Sequence, residues 1–198
     1  TQVRHLEDAL DARGLRYAVE GGKSFFDRQE VHEVLSVLRA VGDASDRVSL
    51  VAALRSAFLG VSDRDIASYC LAGGYLAKGA VDESGPRASP LAPAPQLTQK
   101  LHELRTRLSV PALVERLYAE TRILAAFTGT RRGEARIANL EKVTALARQS
   151  ADLGVLTLRG FTALLQERIL TAREEPDLPS TRPGDVDTVR ILTIHKAK

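Results

Sequence analysis

The sequence predicts a mainly α-helical chain, with a helical domain inserted into part of an α/β sheet domain. Three observations carry this expectation. Between Asp46 and about residue 172, apolar residues recur at three- and four-residue spacing, segment after segment, as the buried stripes of packed helices do. Residues 1–42 instead combine helix, glycine stop and short alternating strand. Residues 189–194 return to a strand, with Val189, Ile191, Leu192 and Ile194 interrupted by Arg190 and Thr193.

Taken in order, Val3, Leu6, Ala9 and Leu10 share one face of a helix over 2–13, and Gly14 stops it. Residues 15–19 alternate as a short strand before Gly21 and Gly22. Asp27 reads as a helix N-cap with Glu30 three residues on, the pattern of a capping box. Val31, Val34, Leu35, Leu38 and Val41 make the stripe of the helix that follows. Asp46 caps a helix through Val48, Val51 and Leu54, and a tight link at 59–63 leads to another with Ile66, Tyr69 and Cys70.

Gly73, Gly74, Gly85, Pro86, Pro90, Pro93 and Pro95 then predict a long mobile loop over about 73–95. Leu97, Leu101, Leu104 and Leu108 predict a helix over 96–108. Ser109, just before Pro111, caps a helix carrying Leu113, Val114, Leu117 and Tyr118. Further stripes follow at Ile137, Leu140, Val143 and Ala147, and at Leu158, Phe161, Leu164 and Leu165. Pro176, Pro179 and Pro183 punctuate an acidic linker to the last strand. There is no internal repeat and no low-complexity tract.

Composition narrows the class. With 198 residues, no Met and a Thr-Gln-Val start, the chain reads as an excerpt of a longer protein. Hydrophobic residues make up 44%, but aromatics only 5% with no Trp, which predicts an interior of Ala, Leu and Val. Twenty-eight basic against 25 acidic residues give a charge of +3, and twenty-two of the basic residues are Arg. Arg forks phosphate well, but a GC-rich genome also supplies it, so the excess alone carries no argument for nucleic acid. The single Cys, Cys70, excludes an intramolecular disulfide and a cysteine metal cluster. No apolar run approaches the ~18–20 residues of a membrane span, and no signal-like N-terminus is present, so the expectation is a cytoplasmic protein without a membrane partner.

Five stretches resemble one family. Thr193-Ile-His-Lys-Ala-Lys198 resembles the start of motif V of the UvrD/Rep-type superfamily 1 DNA helicases, ahead of the family's Gly-Leu-Glu. Tyr17-Ala-Val-Glu-Gly-Gly-Lys-Ser-Phe-Phe-Asp-Arg-Gln-Glu-Val31 resembles the glycine-glycine, double-phenylalanine, Arg-x-Glu segment called motif IVa. Val51-Ala-Ala-Leu-Arg-Ser-Ala-Phe-Leu-Gly-Val-Ser-Asp63 resembles the Arg-Ser-Pro-Phe/Leu-x-Gly-Ile/Val-Ser-Asp segment, departing from it at Ala57, where Pro is frequent. Ile137-Ala-Asn-Leu-Glu-Lys-Val143 and Thr157-Leu-Arg-Gly-Phe161 resemble later helices of the RecB/AddA-like branch. The matches stand in family order and span nearly the whole chain.

The resemblance implies a domain plan: residues 1–43 and 189–198 as parts of a RecA-like motor subdomain (2A), 44–175 as the helical subdomain 2B inserted into it, and 176–188 as a linker. It also implies an ATP-dependent DNA helicase of 3'-5' polarity acting in repair or recombination, with ATP and Mg²⁺ in the whole protein. The implied partners are single-stranded DNA and the duplex at a fork; further candidates are a nuclease domain or a partner subunit. Thr193, His195 and Lys198 would grip the single strand. Arg55, Ser56, Gly60 and Ser62 would touch the duplex.

The residues admit other readings. The 54–63 link exposes N–H groups at the start of its second helix, which hold phosphate without reading sequence; it equally serves as a turn that packs helices, with Ser62 a plain N-cap. Phe25 and Phe26 either stack bases or anchor a loop in the core. Gly21 and Gly22 supply a turn, and Thr193 and His195 can tie a strand to a neighbouring loop. Arg131, Arg132 and Arg136 form a basic cluster of the kind usually solvated, and His5, His32 and His102 lie on helices. The chain carries no Gly-x-x-x-x-Gly-Lys-Ser/Thr loop and no Asp-Glu pair on a strand, so no catalytic or metal residue is expected within it, and no bound ATP or ATP hydrolysis by the chain alone. Two rival classes remain: a helix-turn-helix regulator reading DNA through 62–72, and a helical scaffold binding a protein partner through the 73–95 loop.

Overall fold

A computed structural model of the chain describes residues 6, 9–10, 12–15, 17–20, 25–43, 45–73, 76, 93–130, 132–155, 157–171 and 189–192. Strand β1 (Tyr17–Glu20) pairs in parallel with strand β2 (Val189–Leu192), Tyr17 opposite Val189 and Glu20 opposite Leu192. Parallel strands need a crossover connection, and here the crossover contains the whole helical body. Before β1, Leu6, Ala9, Leu10 and Ala12 are helical. Gly14 ends that stretch at φ +66°, with the Leu15 N–H returning to the Leu10 carbonyl at 3.0 Å.

The body opens with a 3-10 turn (Phe25–Asp27) and continues as eight helices among the described residues. These are α1 (Gln29–Gly42), α2 (Arg47–Arg55), α3 (Asp63–Leu71), α4 (Pro93–Leu104), α5 (Val110–Thr121), α6 (Ile123–Phe127), α7 (Gly133–Asp152) and α8 (Leu158–Thr171). The protein is mainly α-helical, as its periodicity predicts.

Helix α1 is the centre of the packing. Its Val31, Val34, Leu35, Val37, Leu38, Ala40 and Val41 are all buried, a stripe too wide for a helix with one covered face. Helices α2, α4, α7 and α8 pack around it. Leu113, Val114 and Leu117 of α5 and Leu140, Val143 and Ala147 of α7 complete the core, with Phe161 and Leu165 of α8. Small aliphatic side chains dominate, as the composition foreshadows.

Local caps fix the helix starts. Asp46 accepts from the Ser49 N–H at 2.9 Å, Ser62 from the Asp65 N–H at 3.2 Å, and Ser109 from the Ala112 N–H at 3.5 Å. Each is the cap read from the sequence.

Two expectations need correction. Asp27 is not the cap of α1: Arg28 holds that position without a side-chain cap bond, and Asp27 lies in the 3-10 turn. The capping box fails because Glu30 turns inward to Asn139. Second, α4 runs from Pro93 to Leu104 rather than over 96–108. Proline suits the first turn of a helix, where its missing N–H is no loss. The last turn closes when the Arg107 and Leu108 N–H groups both bond the Leu104 carbonyl at 2.9 Å. Of the predicted stripe only Leu101 is fully buried, while Leu97, Leu104 and Leu108 are half-buried. The rest of the expected 73–95 loop falls almost wholly outside the described residues.

The sequence marks no element over 119–130; there α5 and α6 are separate helices, broken at Arg122 in the left-handed conformation (φ 51°) with no glycine to announce it. Gly133, by contrast, is obligatory in this packing: a Cβ there would collide with the Phe127 carbonyl oxygen.

Candidate nucleic-acid interface

The α2–α3 hairpin carries the residues expected to touch duplex. Its turn is closed by the Val61 N–H on the Leu54 carbonyl at 2.9 Å and the Gly60 N–H on the Ser56 carbonyl at 2.8 Å. Gly60 adopts φ +62°, the left-handed region that a side chain strains, and it is exposed. Phe58 anchors the turn from beneath; it is buried, with its ring 6.1 Å from that of Tyr118 on α5. Burial raises the Tyr118 phenol well above its ordinary pKa, so it stays protonated and donates to the Leu140 carbonyl at 3.1 Å. On the other side, the Ala57 N–H bonds Glu33 of α1 at 3.3 Å. The hairpin is therefore held at both flanks, and its tip has a defined shape.

Arg55 and Asp63 face each other across the turn. The Arg55 Nε lies 2.6 Å from Asp63 Oδ1 and its Nη2 3.1 Å from Oδ2, a two-pronged ion pair. The two side chains are 58% and 70% exposed. An exposed pair of this kind gains little from being closed, so the guanidinium can exchange its carboxylate for another anion at small cost. Ser62 is exposed and serves as the α3 cap, its hydroxyl also donating to Asp65 Oδ2 at 2.6 Å. Ser56 is buried, and its hydroxyl donates to the Ala53 carbonyl at 2.6 Å. That places it inside the turn rather than on its surface. The first turn of α3 carries Asp63 and Asp65, which already answer its positive end; Arg55 and the exposed Arg64 are the cations of the tip.

Thr193, His195 and Lys198 lie outside the described residues, as do Gly21, Gly22 and Arg131. Phe25 and Phe26 are half-buried, edge to face at 4.8 Å between centroids, and both rest on the core. That favours anchoring over base stacking. Arg136 stacks over Phe127, 4.7 Å from its centroid, and so has a packing role within the expected basic cluster. His102 Nδ1 donates to the Val41 carbonyl at 2.7 Å, closing the end of α1.

Sequence reasoning missed two contacts between two of the family-like stretches. Glu30, buried at the start of α1, accepts from Asn139 Nδ2 of α7 at 2.6 Å, and Lys142 of α7 lies 5.7 Å over the Phe25 ring. The only sequence signal was the presence of both stretches in one resemblance. Among the described residues there is no group of three or more His, Cys, Asp or Glu side chains placed to hold a metal, and no helix long and apolar enough to cross a membrane.

Comparison with known sequences points to one class of protein, the UvrD/RecB-type superfamily 1 helicases. The chain is 27% identical over 201 residues to an ATP-dependent helicase/nuclease subunit of Bacillus cereus (strain G9842), covering 96% of this chain and 16% of that protein. It is 28% identical over 204 residues to the identically named protein of Bacillus cytotoxicus, again covering 96% and 16%. It is also 25% identical over 212 residues to the ATP-dependent DNA helicase PcrA of Bacillus subtilis (strain 168), covering all of this chain and 28% of PcrA. No protein-family model matches. The chain is similar along nearly its whole length to UvrD/RecB-type helicases, and it spans between about a sixth and just over a quarter of the relatives it matches.

Proposed function

We propose that this chain is a segment of an ATP-dependent DNA helicase of the UvrD/RecB type. In this reading residues 1–43 and 189–198 belong to the motor subdomain 2A, and 44–175 form the helical subdomain 2B, joined to it by 176–188. The observation that carries the reading is the likeness to two differently named groups of helicases across 96–100% of the chain. The parallel pairing of β1 with β2, on either side of the helical body, supports the inserted arrangement.

The whole protein would bind ATP and Mg²⁺, translocate 3'-5' on single-stranded DNA and act in repair or recombination in the cytoplasm. A nuclease domain or partner subunit fits the same reading, since some relatives are named helicase/nuclease subunits. No phosphate loop occurs in this sequence, so no step of ATP chemistry is assigned to these residues.

The part assigned to the chain is duplex contact through the α2–α3 hairpin. Arg55 would leave Asp63 for a backbone phosphate, with Gly60 admitting close approach and Ser62 setting the α3 start. Thr193, His195 and Lys198 would hold the single strand. Titration with a forked duplex tests this: binding should be indifferent to sequence, with a dissociation constant of about 10⁻⁴–10⁻⁶ M at physiological salt. Sequence-selective binding would favour a regulator instead, and no binding even at low salt would remove duplex contact from the reading.

A further inference from the structure

We propose that the groove between the end of α4 and α5 is a docking site for an acidic, leucine-bearing peptide segment of a partner protein. The groove measures about 480 Å³ and is lined by Lys100, Glu103, Leu104, Arg107, Leu108 and Arg116. It is remote in sequence from the α2–α3 hairpin and independent of the DNA reading.

Its floor is aliphatic. Leu104 and Leu108 stay half-buried because α4 stops at Leu104 and the chain turns before Ser109 caps α5, leaving both side chains at the edge of the core. Its walls are cationic on balance, with Lys100, Arg107 and Arg116 against the carboxylates of Glu103 and Glu120. Lys100 Nζ and Arg116 Nη2 converge on a single oxygen, Glu120 Oε1, at 2.7 and 2.5 Å. The bond from Lys100, more than any other contact, holds the Glu120 carboxyl below the ordinary range, so this carboxylate stays charged between two cations. Two cations on one carboxylate leave positive charge over, and Arg107, which is exposed, adds more with no ion-pair partner among the described residues. Glu103 is engaged along its own helix, accepting from Gln99 Nε2 at 2.9 Å.

An occupant must therefore offer apolar side chains to the leucines and carboxylates to Arg107 and Arg116. Nucleic acid fits poorly. The lining has no aromatic ring on which a base could stack, and its leucine floor offers nothing to a sugar-phosphate backbone. Charged rims of this kind steer and select partners more than they add affinity.

The test uses fluorescence anisotropy on the whole 198-residue chain with three labelled probes. They are a short peptide alternating Leu with Asp and Glu, the same peptide with Asn and Gln in place of its acids, and an oligothymidylate. The acidic peptide should bind, and Arg107→Glu should weaken it by about tenfold or more, as should Arg116→Glu. Arg168→Glu, an exposed charge reversal on α8, should leave binding unchanged. Circular dichroism confirms that each variant is folded. Failure of the acidic peptide to bind, equal binding by wild type and Arg107→Glu, or equal binding of the neutral peptide would overturn the proposal. Displacement of the peptide by oligothymidylate, with both lost in Arg107→Glu, would overturn it in favour of a nucleic-acid groove.

Discussion

Asn139 Nδ2 donates to Glu30 Oε1 at 2.6 Å, tying the first turn of α1 to the second turn of α7 across 109 positions of sequence. Glu30 is only 5% exposed, so its carboxyl has little recourse to water. A buried polar group is tolerable when bonded and expensive when not. The bond, with Lys142 over Phe25 beside it, fixes where the segment leaving β1 meets the helical body.

Asn139→Ala should therefore destabilise the protein by about 1–3 kcal/mol, the cost of stranding a buried acceptor. Glu30→Gln keeps an accepting oxygen and should cost less. Urea unfolding of the three proteins checks this, and a loss below about 0.5 kcal/mol for Asn139→Ala would show that the bond is not a support.

Leu101 and Leu104 separate a buried position from an edge position on one helix. Leu101 is 1% exposed and Leu104 half-buried. Leu101→Ala should cost about 2–5 kcal/mol through lost burial and the cavity left behind. Leu104→Ala should cost clearly less, because its neighbourhood opens to the groove. Equal losses would place Leu104 in the core and close the groove.

Asp46 gives the fold a pH dependence of known sign. Its carboxyl is held below the ordinary range first by the Ser49 hydroxyl at 2.6 Å, then by the Ser49 N–H, with Arg39 assisting. A lowered folded pKa stabilises above the unfolded value of about 3.9 and loses that contribution as pH falls through the folded value. Asp46→Ala should thus cost about 0.5–2 kcal/mol at neutral pH. The gap between variant and wild type should shrink as pH drops below about 4. A gap that is constant from neutral to acid would mean that the carboxylate charge is irrelevant to the cap.

Those caps were legible because capping is local. Asp46, Ser62 and Ser109 each need only a short side chain and the N–H three residues on, and nothing distant competes for them. Asp27 shows the limit: its capping box required Glu30, and Asn139, far along the chain, took Glu30 instead. The helix break at Arg122 was invisible for another reason, since a left-handed residue stands there without a glycine to mark it, just ahead of the buried Ile123 and Phe127. At the candidate interface, Arg55, Gly60 and Ser62 sit at the hairpin surface as their turn chemistry implies. The burial of Ser56 could not be read from a small polar residue beside a turn.

The measurement that bears most directly on the account is duplex binding by wild type, Arg55→Ala and Asp63→Asn across a salt series. Phosphate contacts release counterions, so Arg55→Ala should weaken every duplex about equally and flatten the salt slope by about one unit. Asp63→Asn frees the guanidinium from its two-pronged pair and should tighten binding. If all three proteins bind alike at every salt concentration, the hairpin does not hold the duplex and the central claim fails.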